Sequence, residues 1–87
     1  MEKEIVIKNA TGLHARPAAK LTVFAKNYPL PITLIKGEKS APANSLIRVL
    51  GLGIVQGDTV RIRAEGDRAE QIIQEFATYL ETLEDED

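Results

Sequence analysis

Between Ala69 and Leu83 the chain carries one apolar stripe. Ala69, Ile72, Ile73, Phe76, Ala77, Leu80 and Leu83 recur at the three- and four-residue spacing of a single helix face. No other feature restricts the fold as strongly, because a helix with such a face must bury it against another layer. Asp67 and Glu70, following Gly66, read as a capping-box-like start for this helix.

The covering layer is legible upstream. Ile5-Val6-Ile7 between charged residues reads as a short strand ended by Asn9 and Gly12. A helix then begins around Pro17, since a first helical position needs no N–H partner. Proline also favours extended backbone at the residue before it, which sets Arg16 outside the helix. Ala18, Leu21, Ala25 and Tyr28 fall on a buried face, with Lys20, Val23 and Lys26 off it. Pro29 and Pro31 stop the helix. Ile32 to Ile35 form a second strand, and Gly37-Glu38 turns the chain into a short third one near Ser40-Ala41. Asn44-Ser45 caps a short helix over Leu46 to Leu50, closed by Gly51. After Gly57-Asp58 comes a fourth strand in which Val60, Ile62 and Ala64 alternate with Arg61 and Arg63. The two arginines line the open side of a sheet. This β-α-β-β-α-β-α order predicts an α+β, two-layer sandwich in a single domain over 1–87, with 84–87 a frayed acidic tail.

Eighty-seven residues support one core, burying roughly 60–65% of the unfolded chain's surface. The absence of cysteine excludes disulfides and thiolate metal sites, and no metal or cofactor site is expected. A net charge of −2 argues against nucleic acid as a partner. Apolar runs fall far short of the roughly 18 residues of a membrane span, and Glu2-Lys3-Glu4 does not read as a leader. The expected location is the cytoplasm, without membrane insertion, and the expected state is a monomer.

The one histidine lies in Gly12-Leu13-His14-Ala15-Arg16-Pro17, at the start of the first helix. A helix start offers unpaired N–H groups and partial positive charge, and so attracts an anion such as phosphate. Arg16 adds a fork of donors suited to phosphate oxygens. A cation ahead of a helix is otherwise slightly disfavoured by the dipole, a mismatch that a bound anion removes. Histidine is a nucleophile, substantially neutral near pH 7. Together these point to a side chain that itself becomes phosphorylated, with Arg16 and the N–H groups of Ala18 and Ala19 neutralising the phosphoryl oxygens. A lone histidine is more often a surface or satisfied core residue, and it is the neighbouring Gly12, Arg16 and Pro17 that set this one apart.

With its element order, Gly12-Leu13-His14-Ala15-Arg16-Pro17-Ala18-Ala19 resembles the histidine-containing phosphocarrier (HPr) family of bacterial phosphotransferase systems. Asn44-Ser45-Leu46-Ile47, Leu52-Gly53 and Gly57-Asp58 extend the resemblance over nearly the whole chain. It implies an open-faced sandwich of four antiparallel strands covered on one side by three helices. It further implies that His14 accepts a phosphoryl group at Nδ1 from phosphorylated Enzyme I and passes it to a downstream IIA-type component. Such a protein is a carrier rather than an enzyme.

Ser45 is explained as a helix cap. In one branch of the family the matching serine is phosphorylated by an ATP-dependent kinase, a switch that also involves a transcriptional regulator. Here Asn44 and Arg48 stand where that branch usually has lysine and glycine. Leu46, Ile47, Val49 and Leu50 are too many apolar residues for one face of so short a helix. Two of them are expected to stay exposed and, with Val23, to form an apolar docking patch beside His14. Lys20, Lys26 and Arg48 would pair with acidic groups on partners. Ala43-Asn44-Ser45 and Asp85-Glu86-Asp87 look like the nitrogen-type branch, whereas Ile54 to Asp58 looks sugar-type. The rival reading is a regulatory binding module of the same fold, controlled at Ser45 and acting on partners without a relay. An unrelated enzyme with a histidine base would need a concave pocket and a second polar catalytic group, for which the chain offers no candidate.

Overall fold

In the computed structural model, which describes residues 1–83, seven elements follow in the expected order. They are β1 (Glu2–Val6), α1 (Ala15–Ala25), β2 (Thr33–Lys36), β3 (Lys39–Pro42), α2 (Leu46–Leu50), β4 (Thr59–Arg63) and α3 (Ala69–Thr82). The acidic tail expected at 84–87 lies outside the described residues.

The four strands form one antiparallel sheet in the order β1-β4-β2-β3, so β4 and β2 are central. The register places Ile5 opposite Val60, and Leu34 opposite both Ile62 and Ala41. Alternation then turns these residues to one face, where they are buried. The helices cover that face alone. Ile72, Ile73, Phe76, Ala77 and Leu80 of α3 meet it, and Phe76 has no exposed surface. Burying a side chain of that size stabilises the fold by about 1.5–3 kcal/mol. Helix α1 contributes Ala18, Leu21 and Ala25 and packs on both α2 and α3. The expected stripe and sandwich are as the sequence predicts.

On the open face Arg61 and Arg63 both reach Glu2. The Arg61 guanidinium lies at 3.2 Å, and Arg63 Nε donates to the other carboxylate oxygen at 2.7 Å. Arg63 first, then Arg61, hold the Glu2 carboxyl below its ordinary range. Ile35 also falls on this face by register, opposite Arg61 and Ser40, yet it is buried. Its shelter is consistent with the long side chains that stand over apolar surface on such sheets.

Two helix starts differ from expectation. Helix α1 begins at Ala15 with His14 as N-cap, so Arg16 is helical rather than extended. Pro17 therefore occupies the third helical position. It is tolerated there because the first turn's N–H groups all lack intrahelical partners, and the preference for extended backbone before proline is a bias that the turn overrides. Helix α3 starts after Arg68, which adopts left-handed backbone (φ 64°) and gives no side-chain cap. The Ala69 N–H donates to Gly66 O, closing a turn that removes Asp67 from the capping position, so no capping box forms. Glu70 still lies in the first turn, where its charge suits the dipole. Among the described residues no helix is long and apolar enough to cross a membrane.

Candidate functional site

The segment before α1 is held by the loop at Ile54 and Val55, far along the chain. Gly12 has φ +62°, and a Cβ built there would lie 2.7 Å from Val55 Cα and closer still to the Ile54 carbonyl oxygen. A side chain is excluded by both conformation and space. Leu13 is buried, and its N–H donates to Ile54 O at 3.1 Å. The Asn9 side-chain amide donates to Gly12 O at 2.6 Å. The chain is thus fixed up to the residue before His14.

His14 then emerges as the N-cap of α1, exposed, with extended backbone (φ −82°, ψ −171°) and no side-chain capping bond. Its imidazole is presented to solvent at the positive end of the helix dipole. Arg16 follows in the first turn, exposed as well. The structure therefore brings His14 and Arg16 to one helix end.

The expectation that Ala18 and Ala19 offer their amides to an anion is revised. The Ala18 N–H already donates to His14 O at 3.0 Å as the first rung of the helix, and Ala19 lies one residue further in. Because α1 starts two residues before Pro17, the N–H groups that precede the ladder belong to Ala15 and Arg16. The signal that would have found them is the position of the first helical carbonyl acceptor rather than that of proline.

Helix α2 presents much of its apolar content outward. Only Val49 is buried, Leu46 is half-buried, Leu50 is exposed, and Ile47 is 82% exposed. Arg48, beside them, is exposed, as are Lys20 and Lys26 on α1. Ser45 caps α2, its hydroxyl accepting from the Arg48 N–H at 3.4 Å. Val23 is 66% exposed on the outer side of α1. The groove that it lines with Ala19, Lys20, Phe24, Asn27 and Tyr79 draws its neighbours from α1 and α3, not from α2. Beneath that groove Phe24 stacks on Tyr79 with ring centroids 3.9 Å apart, locking α1 to α3. Among the described residues no cluster of histidine, cysteine or carboxylates could hold a metal ion.

This geometry has close counterparts. A family model described as "PTS HPr component phosphorylation site" matches residues 1–82. The phosphocarrier protein HPr of Vibrio cholerae is 38% identical over 82 residues, covering 94% of this chain and 96% of that protein. The phosphocarrier protein NPr of Shewanella violacea is 33% identical over 86 residues, covering 99% and 94%. Among solved structures, HPr-C-His from Thermoanaerobacter tengcongensis superposes with a TM-score of 0.87 at 39% identity, covering 94% of this chain and 92% of that one. With an open four-stranded sheet, three helices on one face, and sequence likeness along nearly its full length, the chain belongs to the HPr phosphocarrier family of the phosphotransferase system.

Proposed function

We propose that His14 is the phosphoryl carrier. Its imidazole accepts a phosphoryl group from phosphorylated Enzyme I and gives it to a histidine or cysteine of a downstream IIA-type component, in the sugar or the nitrogen-type branch. In each step a bond forms between phosphorus and the incoming nucleophile as the bond to the donor atom breaks. The phosphoryl group passes between proteins with no oxidant or reductant involved. The observation that carries this reading is the exposed N-cap position of His14, with Arg16 two residues later.

Phosphoryl transfer depends on alignment and on neutralising charge over three equatorial oxygens. The brace under Gly12 and Leu13 supplies alignment. The Arg16 guanidinium and the helix-start amides of Ala15 and Arg16 supply positive potential. A shallow, solvated site favours a carrier, since a deep cage of cations would hold the group too firmly for the onward step. Ile47, Leu50 and Leu46 on α2, with Arg48 beside them, serve as the docking surface for Enzyme I and the acceptor, and Val23 and Lys20 on α1 offer a second exposed contact. Ser45 needs no role beyond its cap.

Incubation with phosphoenolpyruvate and Enzyme I, read by intact mass, tests the proposal. The expected result is one acid-labile phosphate on the wild type and none on His14→Ala. An acid-stable phosphate, or equal labelling of the variant, would refute it.

A further inference from the structure

We infer that the Lys36–Asp58 ion pair is a positioning device for His14, acting through the loop between Gly53 and Asp58. The inference rests on the relay reading for its functional consequence, though the mechanical link stands on contacts alone.

Lys36, the last residue of β2, bridges the two ends of that loop. Its ammonium donates to Gly53 O at 2.7 Å and meets Asp58 Oδ2 at 2.9 Å. The same carboxylate oxygen accepts from the Val55 N–H at 2.8 Å, and the Asp58 N–H returns a bond to Val55 O at 3.1 Å. Residues 53, 55 and 58 are thereby tied to one cation anchored on a central strand. The loop's Ile54 O receives the Leu13 N–H, and Ile54 and Val55 leave no room at Gly12 for even one carbon. Any displacement of 54–55 is consequently transmitted to Leu13, the residue next to His14. The Val55 N–H and then Lys36 hold the Asp58 carboxyl below its ordinary range, which favours its ionised form.

The alternative is that the pair merely stabilises the surface. A surface ion pair contributes little to global stability, so its removal should leave the unfolding midpoint nearly unchanged. The positioning role predicts local effects instead. In Lys36→Met and Asp58→Ala, amide hydrogen exchange at Leu13 should speed up about tenfold while the Leu34 and Ile62 amides of the sheet keep their rates. With these variants as acceptors, turnover of Enzyme I should fall about threefold or more at unchanged KM, because misalignment affects transfer and not docking. Lys36→Arg, which can reach both acceptors, should restore both readouts. Unaltered exchange at Leu13 in both variants would overturn the mechanical link. Faster exchange with full turnover would overturn the positioning role. If the wild type took no phosphate, the relay reading would fail while the exchange data still judged the clamp.

Discussion

Replacing Gly12 with alanine separates two costs that the structure assigns to this position. The first is conformational. A non-glycine residue at φ +62° costs about 1–2 kcal/mol, offset by about 0.4–1 kcal/mol from reduced freedom of the unfolded chain. The second is steric, because the new methyl would overlap main-chain atoms of Ile54 and Val55, which cannot rotate away as a side-chain tip can. Relief requires the loop to move, with strain of about 1–3 kcal/mol, and loosens the Leu13–Ile54 hydrogen bond. The total is about 2–4 kcal/mol. For a domain of this size each kcal/mol lowers the melting temperature by about 4–8 °C, so the loss should be about 10–30 °C. Gly37 supplies the control, having nearly the same φ (+60°) but nothing within 4 Å of a built Cβ. Gly37→Ala should lose only about 1 kcal/mol, and its acceptance of phosphate should be unaffected. Thermal unfolding followed by circular dichroism measures both variants. Equal losses at the two glycines would refute the claim that the 54–55 loop braces the segment leading to His14.

Three further outcomes follow from other parts of the molecule. Thr22 is buried, and its hydroxyl meets no hydrogen-bond partner among the described residues, so Thr22→Val should stabilise the fold by about 1 kcal/mol in calorimetry; a destabilised variant would mean the hydroxyl is satisfied. Ile47→Asp, at a position 82% exposed, should leave stability within about 0.5 kcal/mol of the wild type. The same variant should raise the KM for Enzyme I about tenfold if α2 docks the partner. Tyr28 donates to Glu75 at 2.9 Å, and burial foremost, with Glu75 adding to it, pushes its hydroxyl up to about 12. The folded state thus favours the protonated phenol. Its contribution should be complete below pH 10 and decline as the pH rises towards 12, with an ultraviolet titration showing one tyrosine that ionises late. Glu75→Gln should lower that midpoint without restoring the ordinary value, because burial remains.

The elements whose evidence is local were readable in the chain. The α3 stripe and the β4 alternation both declare a period within a few residues, and both occur as read. Where several local solutions satisfy the same rule, the reading slipped. Proline suits every position of a helix's first turn, so Pro17 did not mark where α1 begins, and the N–H groups ahead of the helical ladder are those of Ala15 and Arg16 rather than Ala18 and Ala19. Asp67 and Glu70 have capping-box spacing, yet the Gly66 turn and the left-handed Arg68 displace them. Contacts between distant segments left no trace in sequence. Gly12 against Ile54, Lys36 with Asp58, and Phe24 on Tyr79 each depend on the assembled layers. His14 and Arg16 were legible because two residues in one turn share a helix end whatever the tertiary fold.

That helix end explains how so small a domain serves as a courier. A braced loop holds the segment before the imidazole, which is exposed, and α2 leaves apolar groups uncovered, the surface proposed here for docking. The most direct test is a chase. The protein is loaded with labelled phosphate from phosphoenolpyruvate through Enzyme I, separated, and mixed with an unlabelled IIA-type acceptor. The label should map to the His14 ring by fragmentation and pass to the acceptor in equal measure as it leaves this chain. Label on any other residue, or label that stays on His14 while the acceptor gains none, would contradict the carrier role.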